Sequence, residues 1–284
     1  MMQDAGNHPF SKKHAMTTPC IAIELSNAEY HEHPAVSKSH LDKVAKSPAH
    51  YWANFLDPER VPMAPTDAMV LGTALHTAVL EPHLWSEQFA IAPDGIDRRY
   101  KAGKEAWAAF EAEAQGKTVM TAEDGQRIQR MAQAVHQHPA SSILLNLPGV
   151  VEASYFWTDD ETGLECKSRP DWHSTDRRLI VDLKTTQDAS PQGFQRSVAK
   201  WRYHVQAHWY QRPFAEAEHF LFVAVETTAP FLVAVYAATP AMVAAGARVA
   251  ERDLRLIASC RQSNEWPGYG DTIQPLDLPN WCND

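Results

Sequence analysis

The run Leu179-Ile180-Val181-Asp182-Leu183-Lys184 constrains the fold more than any other stretch of this chain. Side chains alternate across a strand, so Leu179, Val181 and Leu183 face one way while Asp182 and Lys184 face the other. Such a strand needs an apolar layer against one face and a use for an acid and a base on the other. Upstream, the β-rich run LECKSRPDW closes with Arg169-Pro170-Asp171, and residues 174 to 177 have turn composition. A hairpin there returns the chain so that Asp171 lies beside Asp182. Two carboxylates and an ammonium then converge at the rim of a sheet.

Paired carboxylates cannot both ionise cheaply at close range unless a divalent cation sits between them. Oxygen ligands of this kind select hard ions, Mg²⁺ or Mn²⁺, which retain waters and also bind phosphate oxygens. A neighbouring lysine can orient a water and balance the charge of a phosphate under attack. The set therefore suits metal-assisted hydrolysis of a phosphodiester. The competing reading is an edge strand whose acid and base form a surface ion pair. Glu165-Cys166-Lys167 repeats the acid-x-Lys pattern, but no Pro-Asp precedes it at a suitable distance.

The rest of the chain divides by texture. Residues 1 to 20 are polar and aperiodic, which predicts a flexible tail. SKSHLDKVAKSPAHYWANFL spaces Leu41, Val44 and Ala45 as a helix capped by Ser37 or Ser39, with Pro48 ending it or starting a second, whose inner face carries Tyr51, Trp52 and Phe55. DAMVLGTALHTAVL predicts another helix stopping near Pro82, and residues 101 to 115 and 121 to 138 two more. Then VVEASYFW, LECKSRPDW and RLIVDLK read as a three-stranded antiparallel meander. Helices near 191–200 and 202–212, strands HFLFVAVE and PFLVAVYA, and a helix over 240–260 follow. The expectation is an α/β (α+β) fold with a mixed sheet flanked by helices: one domain over 21–284, helical over 37–146 and with its catalytic sheet core over 150–260.

Composition narrows the class. Residues 166 to 212 hold nine Lys/Arg against four acids, in a chain whose net charge is −9. A basic groove on an acidic body fits that asymmetry, and a coat for nucleic acid does not. Cys20, Cys166, Cys260 and Cys282 are scattered and lack the close spacing of an iron–sulfur site, so no cluster is expected. No run of about 18 apolar residues occurs, and MMQDAGNHPFSKKH lacks the apolar stretch of a secretory signal. A soluble cytoplasmic protein, off the membrane, is expected.

Two further motifs stand out. Gln206 and Tyr210 share a helix face, with Arg202 a turn earlier, and that face could meet a sugar-phosphate backbone. In Gly72-Thr73-Ala74-Leu75-His76, small residues let the helix approach another backbone and leave His76 able to reach inward. Both features also suit ordinary packed helices.

Taken in order, GTALH, VEASYFW, RPD, DLKTT and YHVQAHWY resemble the RecE-type exodeoxyribonucleases of phages and prophages. These belong to the PD-(D/E)xK superfamily with lambda exonuclease and the RecB nuclease domain, and the likeness spans roughly residues 23 to 260. The resemblance implies that Asp171, Asp182 and the Leu183 carbonyl hold Mg²⁺, with Mn²⁺ able to substitute, and that Lys184 positions the attacking water. His76 matches a metal-ligating histidine, Glu152 a supporting acid, and Gln206 and Tyr210 a Q-x-x-x-Y motif near the site. Arg169 sits where a basic residue could meet DNA, and Arg202, on the helix-face reading above, would contact a phosphate. It further implies degradation of linear duplex DNA from 5′ ends to leave 3′ overhangs, a single-strand annealing partner, and a ring-shaped trimer or tetramer. A structure-specific or restriction-like endonuclease and an inactive DNA-binding module are the alternatives.

Overall fold

A computed structural model describes residues 21–61 and 63–278; the tail expected over 1 to 20 lies outside them. The chain opens with β1 (Ile21–Ile23), α1 (Asn27–Glu32), α2 (Lys38–Lys46), α3 (Pro48–Phe55) and α4 (Asp67–Leu80). Ser47 caps α3 by accepting from the His50 N–H, and Pro48 occupies its first turn, where no intrahelical donor is needed. Thr66 caps α4, which ends just before Pro82 as its sequence predicts. Next come α5 (Trp85–Gln88), β2 (Phe89–Ile91), α6 (Lys101–Glu113), β3 (Thr118–Met120), α7 (Ala122–Gln137) and α8 (Pro139–Leu145).

The β-rich part follows as β4 (Gly149–Val151), β5 (Ser154–Thr158), β6 (Glu165–Ser168), β7 (Trp172–Ser174) and β8 (Leu179–Thr186). Then come α9 (Pro191–Lys200), α10 (Tyr203–Gln211), β9 (His219–Glu226), β10 (Val233–Ala237) and α11 (Pro240–Ser263). The five-stranded sheet has the order β10-β9-β8-β7-β4; β8 and β9 run parallel and the other pairs antiparallel. A smaller sheet has the order β1-β5-β6. The predicted mixed sheet with flanking helices is present, but the predicted meander is split between two sheets. Glu152 adopts φ 49°, which turns the chain between β4 and β5, and Pro170, lacking an N–H, separates β6 from β7.

The strand β8 is the middle of its sheet, not a rim, and both its faces are covered. Val181 and Leu183 join Leu75 and Val79 of α4 and Ile128 and Met131 of α7 in one apolar layer. Ile180 faces the opposite layer, with Phe194 of α9, Ala207 of α10 and Phe222 of β9. A third cluster packs α2, α3, α10 and α11 against Trp157 and Cys166 of the smaller sheet. At its tightest point Gly246 of α11 lies against the His204 carbonyl of α10, where a side chain would collide. No helix among the described residues is long and apolar enough to cross a membrane.

Candidate active site

The site forms where a strand ladder runs out. Trp172 pairs with Val181 and His173 with Ile180, so the same register sets Asp171 opposite Asp182, as the hairpin predicts. Beyond that point Pro170 carries the chain away, and among the described residues Leu183 has no strand partner on this side. Side chains take the place of the missing strand: the Leu183 N–H donates to Asp171 Oδ2 at 2.7 Å, and its carbonyl lies 2.9 Å from His76 Nε2. Buried peptide groups need such partners. His76 reaches the carbonyl because α4 packs directly over β8 through Leu75 and Val79.

Around His76 three ligand-bearing groups meet. Its Nε2 is 3.5 Å from Asp171 Oδ2 and its Nδ1 3.7 Å from Glu152 Oε1. Among the described residues, the ligand atoms of His76, Glu152 and Asp171 all lie within 4.8 Å of one another. The left-handed turn at Glu152 brings its carboxylate there, and its N–H continues the ladder to the Asp171 carbonyl at 3.1 Å.

Asp182, expected among the metal ligands, borders this group without joining it. Its Oδ1 accepts from the Gln206 amide at 2.7 Å, and its Oδ2 lies 2.6 Å from the Lys184 ammonium without a well-aligned hydrogen bond. The Lys184 ammonium also sits 4.9 Å from the centre of the Tyr203 ring. The alternation of β8 thus does what its sequence implies: Asp182 and Lys184 share the face toward α10.

The electrostatics record an excess of buried negative charge. Burial raises Asp182 to about 6, against the opposing pull of Lys184, and raises Asp171 despite His76 and Lys184. Burial opposes the charge on His76, yet Asp171 and Glu152 outweigh it and bring it up to about 9. Burial likewise works against the Lys184 ammonium, but Asp182 and Asp171 more than compensate and raise it. An imidazole, two carboxylates and a carbonyl oxygen, set among acids short of positive charge, are a donor set that fits a hard or borderline divalent cation.

The structure also places the remaining candidates. Gln206 and Tyr210 do share the inward face of α10, with Tyr210 in hydrogen-bonding reach of Gln206, but the amide serves Asp182 instead of facing outward. Arg169 is buried, donates to Ser154 Oγ and the Leu25 carbonyl through Nε and Nη2, and stacks 4.2 Å over the Tyr30 ring; it is a strut between α1 and β5. Arg202 is also committed internally, to the Leu41 carbonyl, Asp42 and the buried Asp253, and so ties α10 to α2 and α11. Lys167 of the rival acid-x-Lys pattern is enclosed by the Tyr30 and His33 carbonyls. Sequence reasoning missed Tyr203; its position one turn before Gln206 on the same helix face is the signal that could have found it.

A mixed sheet between helix layers, carrying Pro170-Asp171 opposite Asp182-Leu183-Lys184, defines a domain of the PD-(D/E)xK nuclease superfamily. The chain belongs to the family described as PDDEXK-like domain of unknown function (DUF3799), whose model matches residues 37–279. Among solved structures, a protein from Eubacterium rectale named "Putative exonuclease" superposes with a TM-score of 0.59 at 12% identity, covering 90% of this chain and 96% of that one, a likeness of fold. A second, SSO0001, aligns with a TM-score of 0.31 at 19% identity over 67% of this chain and 88% of that one, too loosely to bear on the fold. No curated protein matches the sequence.

Proposed function

We propose that this chain is a divalent-metal-dependent exodeoxyribonuclease of the RecE type that degrades linear duplex DNA from 5′ ends. The 3′ single strand left behind would pass to an annealing protein for recombination. The observation that carries the reading is the meeting of His76, Glu152 and Asp171 beside the ion-paired Asp182 and Lys184 at one end of the β7–β8 ladder. His76, Glu152, Asp171 and the Leu183 carbonyl would hold the ion, with Asp182 beside it; when bound, Mg²⁺ or Mn²⁺ supplies charge stabilisation at the phosphoryl group.

The side chains divide the remaining work. Lys184, kept as an ammonium by Asp182 and Asp171, orients the attacking water and faces the charge that builds on the phosphate; it does not act as the base. Gln206 fixes the Asp182 carboxylate, which in turn fixes Lys184. The Tyr203 ring limits where the ammonium can swing.

The test is digestion of linear duplex labelled separately at its 5′ and 3′ ends, with and without Mg²⁺, beside a covalently closed plasmid. Metal-dependent loss of the 5′ label first, with the plasmid uncut, is the expected result. Cutting of the closed plasmid would make the chain an endonuclease, and survival of all substrates would reject nuclease activity. Lys184→Ala should lower cleavage by about 10²- to 10⁴-fold while DNA binding persists.

A further inference from the structure

Among the described residues, the β10 edge of the five-stranded sheet is unpaired. The strand β10 pairs with β9 through Val233↔Val225 to Ala237↔Leu221. The Glu226 N–H donates to the Leu232 carbonyl and the Ala238 N–H to the Phe220 carbonyl, which fixes the parity of the ladder. Residues 232, 234, 236 and 238 therefore turn their peptide groups toward β9, and Val233, Val235 and Ala237 turn theirs outward. Among the described residues no strand or other backbone group pairs with that outward row.

Proteins ordinarily protect such edges with charge, brevity or a covering segment. The opposite edge, β4, is only three residues long and is followed by Glu152. No charged residue occurs from Thr227 to Ala247, a span that contains the whole of β10, and Leu232 at its start is 58% exposed. Both faces of the strand are apolar as well: Val233 and Val235 lie against the layer under α7, Ala234 and Tyr236 against the layer under α9.

We propose that β10 pairs with β10 of a second copy of this chain, antiparallel about a two-fold axis through Val235, so that two five-stranded sheets become one continuous sheet. Only an extended backbone matches a regular row of outward N–H and C=O groups. The row is symmetric about Val235: Val235 meets the partner's Val235, Val233 meets the partner's Ala237, and each pair exchanges two hydrogen bonds. A copy also meets the edge without like-charge repulsion, because the net charge of −9 resides outside this span. The partner strand prolongs both apolar layers, and a contact of this isologous kind gives even-numbered assemblies.

The test is the mass of the full chain by sedimentation velocity for wild type, Val235→Pro and Ala237→Lys, with circular dichroism to check folding. Proline at 235 removes an outward donor and leaves the bonds to β9 intact; lysine at the exposed Ala237 puts charge on the edge. The wild type is expected as an even-numbered assembly, and both variants at half its mass with unchanged dichroism. If Val235→Pro fails to fold, Ala237→Lys decides alone. A monomeric wild type across the micromolar range, or an assembly that keeps its mass in folded Ala237→Lys, overturns the proposal. A monomer whose 233, 235 and 237 amides resist hydrogen exchange overturns it too, since the chain's own segments would then cover the edge. All of these outcomes are independent of nuclease activity, which the digestion assay reads separately.

Discussion

Gln206 has the sharpest role of any side chain that does not itself face the substrate. It is buried, and its amide is the hydrogen-bond donor to Asp182 Oδ1. Gln206→Leu keeps the volume but leaves that oxygen without its donor, a loss worth about 1–3 kcal/mol for a buried polar atom. Turnover should fall by about tenfold or more with little change in DNA affinity, and a single-turnover assay beside a binding titration checks it. A drop in affinity with unchanged turnover would instead place Gln206 on the DNA. Sequence alone located this residue and its shared face with Tyr210, because a spacing of four is a local property of helices. It could not name the partner, because Asp182 is brought to Gln206 only when α10 packs over β8. The same limit explains Arg169 and Arg202: their charge is visible in the sequence, whereas their burial against Ser154, Tyr30 and Asp253 is not.

Elements were legible where their end signals are local. The end of α4 follows from Pro82, and the β7–β8 register follows from the turn between them. The division of strands between two sheets was hidden, since a left-handed Glu152 carries no mark in its sequence. Contact between α10 and α11 depends on a glycine that helical periodicity does not single out. Gly246→Ala would press a methyl group into the His204 carbonyl, and forcing packed helices apart in this way costs about 1–3 kcal/mol. A lower melting temperature is expected, together with reduced turnover, because α10 carries Gln206 and Tyr203 to the site.

At the scale of the whole molecule, His40 contributes stability that mild acidification removes. His40 is buried between α2 and α3, where burial first, then Lys167 and Arg261, holds it down to about 3. An unfolded histidine titrates near 6.5. Above that pH both states are neutral and the contribution is whole. As pH falls from 6.5 toward 3 only the unfolded state takes up the proton at His40, and that contribution declines by at most about 1.4 kcal/mol per unit. Urea melts at pH 7, 6 and 5 should give a steeper decline for the wild type than for His40→Gln; parallel slopes would show that His40 is not the group responsible.

The hairpin between β7 and β8 turns at the four exposed residues 175 to 178, several residues along both strands from Asp171 and Leu183. Five strand residues span about 17 Å, so the reacting end of the hairpin and its loop are well separated. A short foreign peptide grafted between Asp176 and Arg177 should be carried as cargo, with cleavage rates matching the parent chain. That loop therefore offers an attachment point for a dye or a surface anchor.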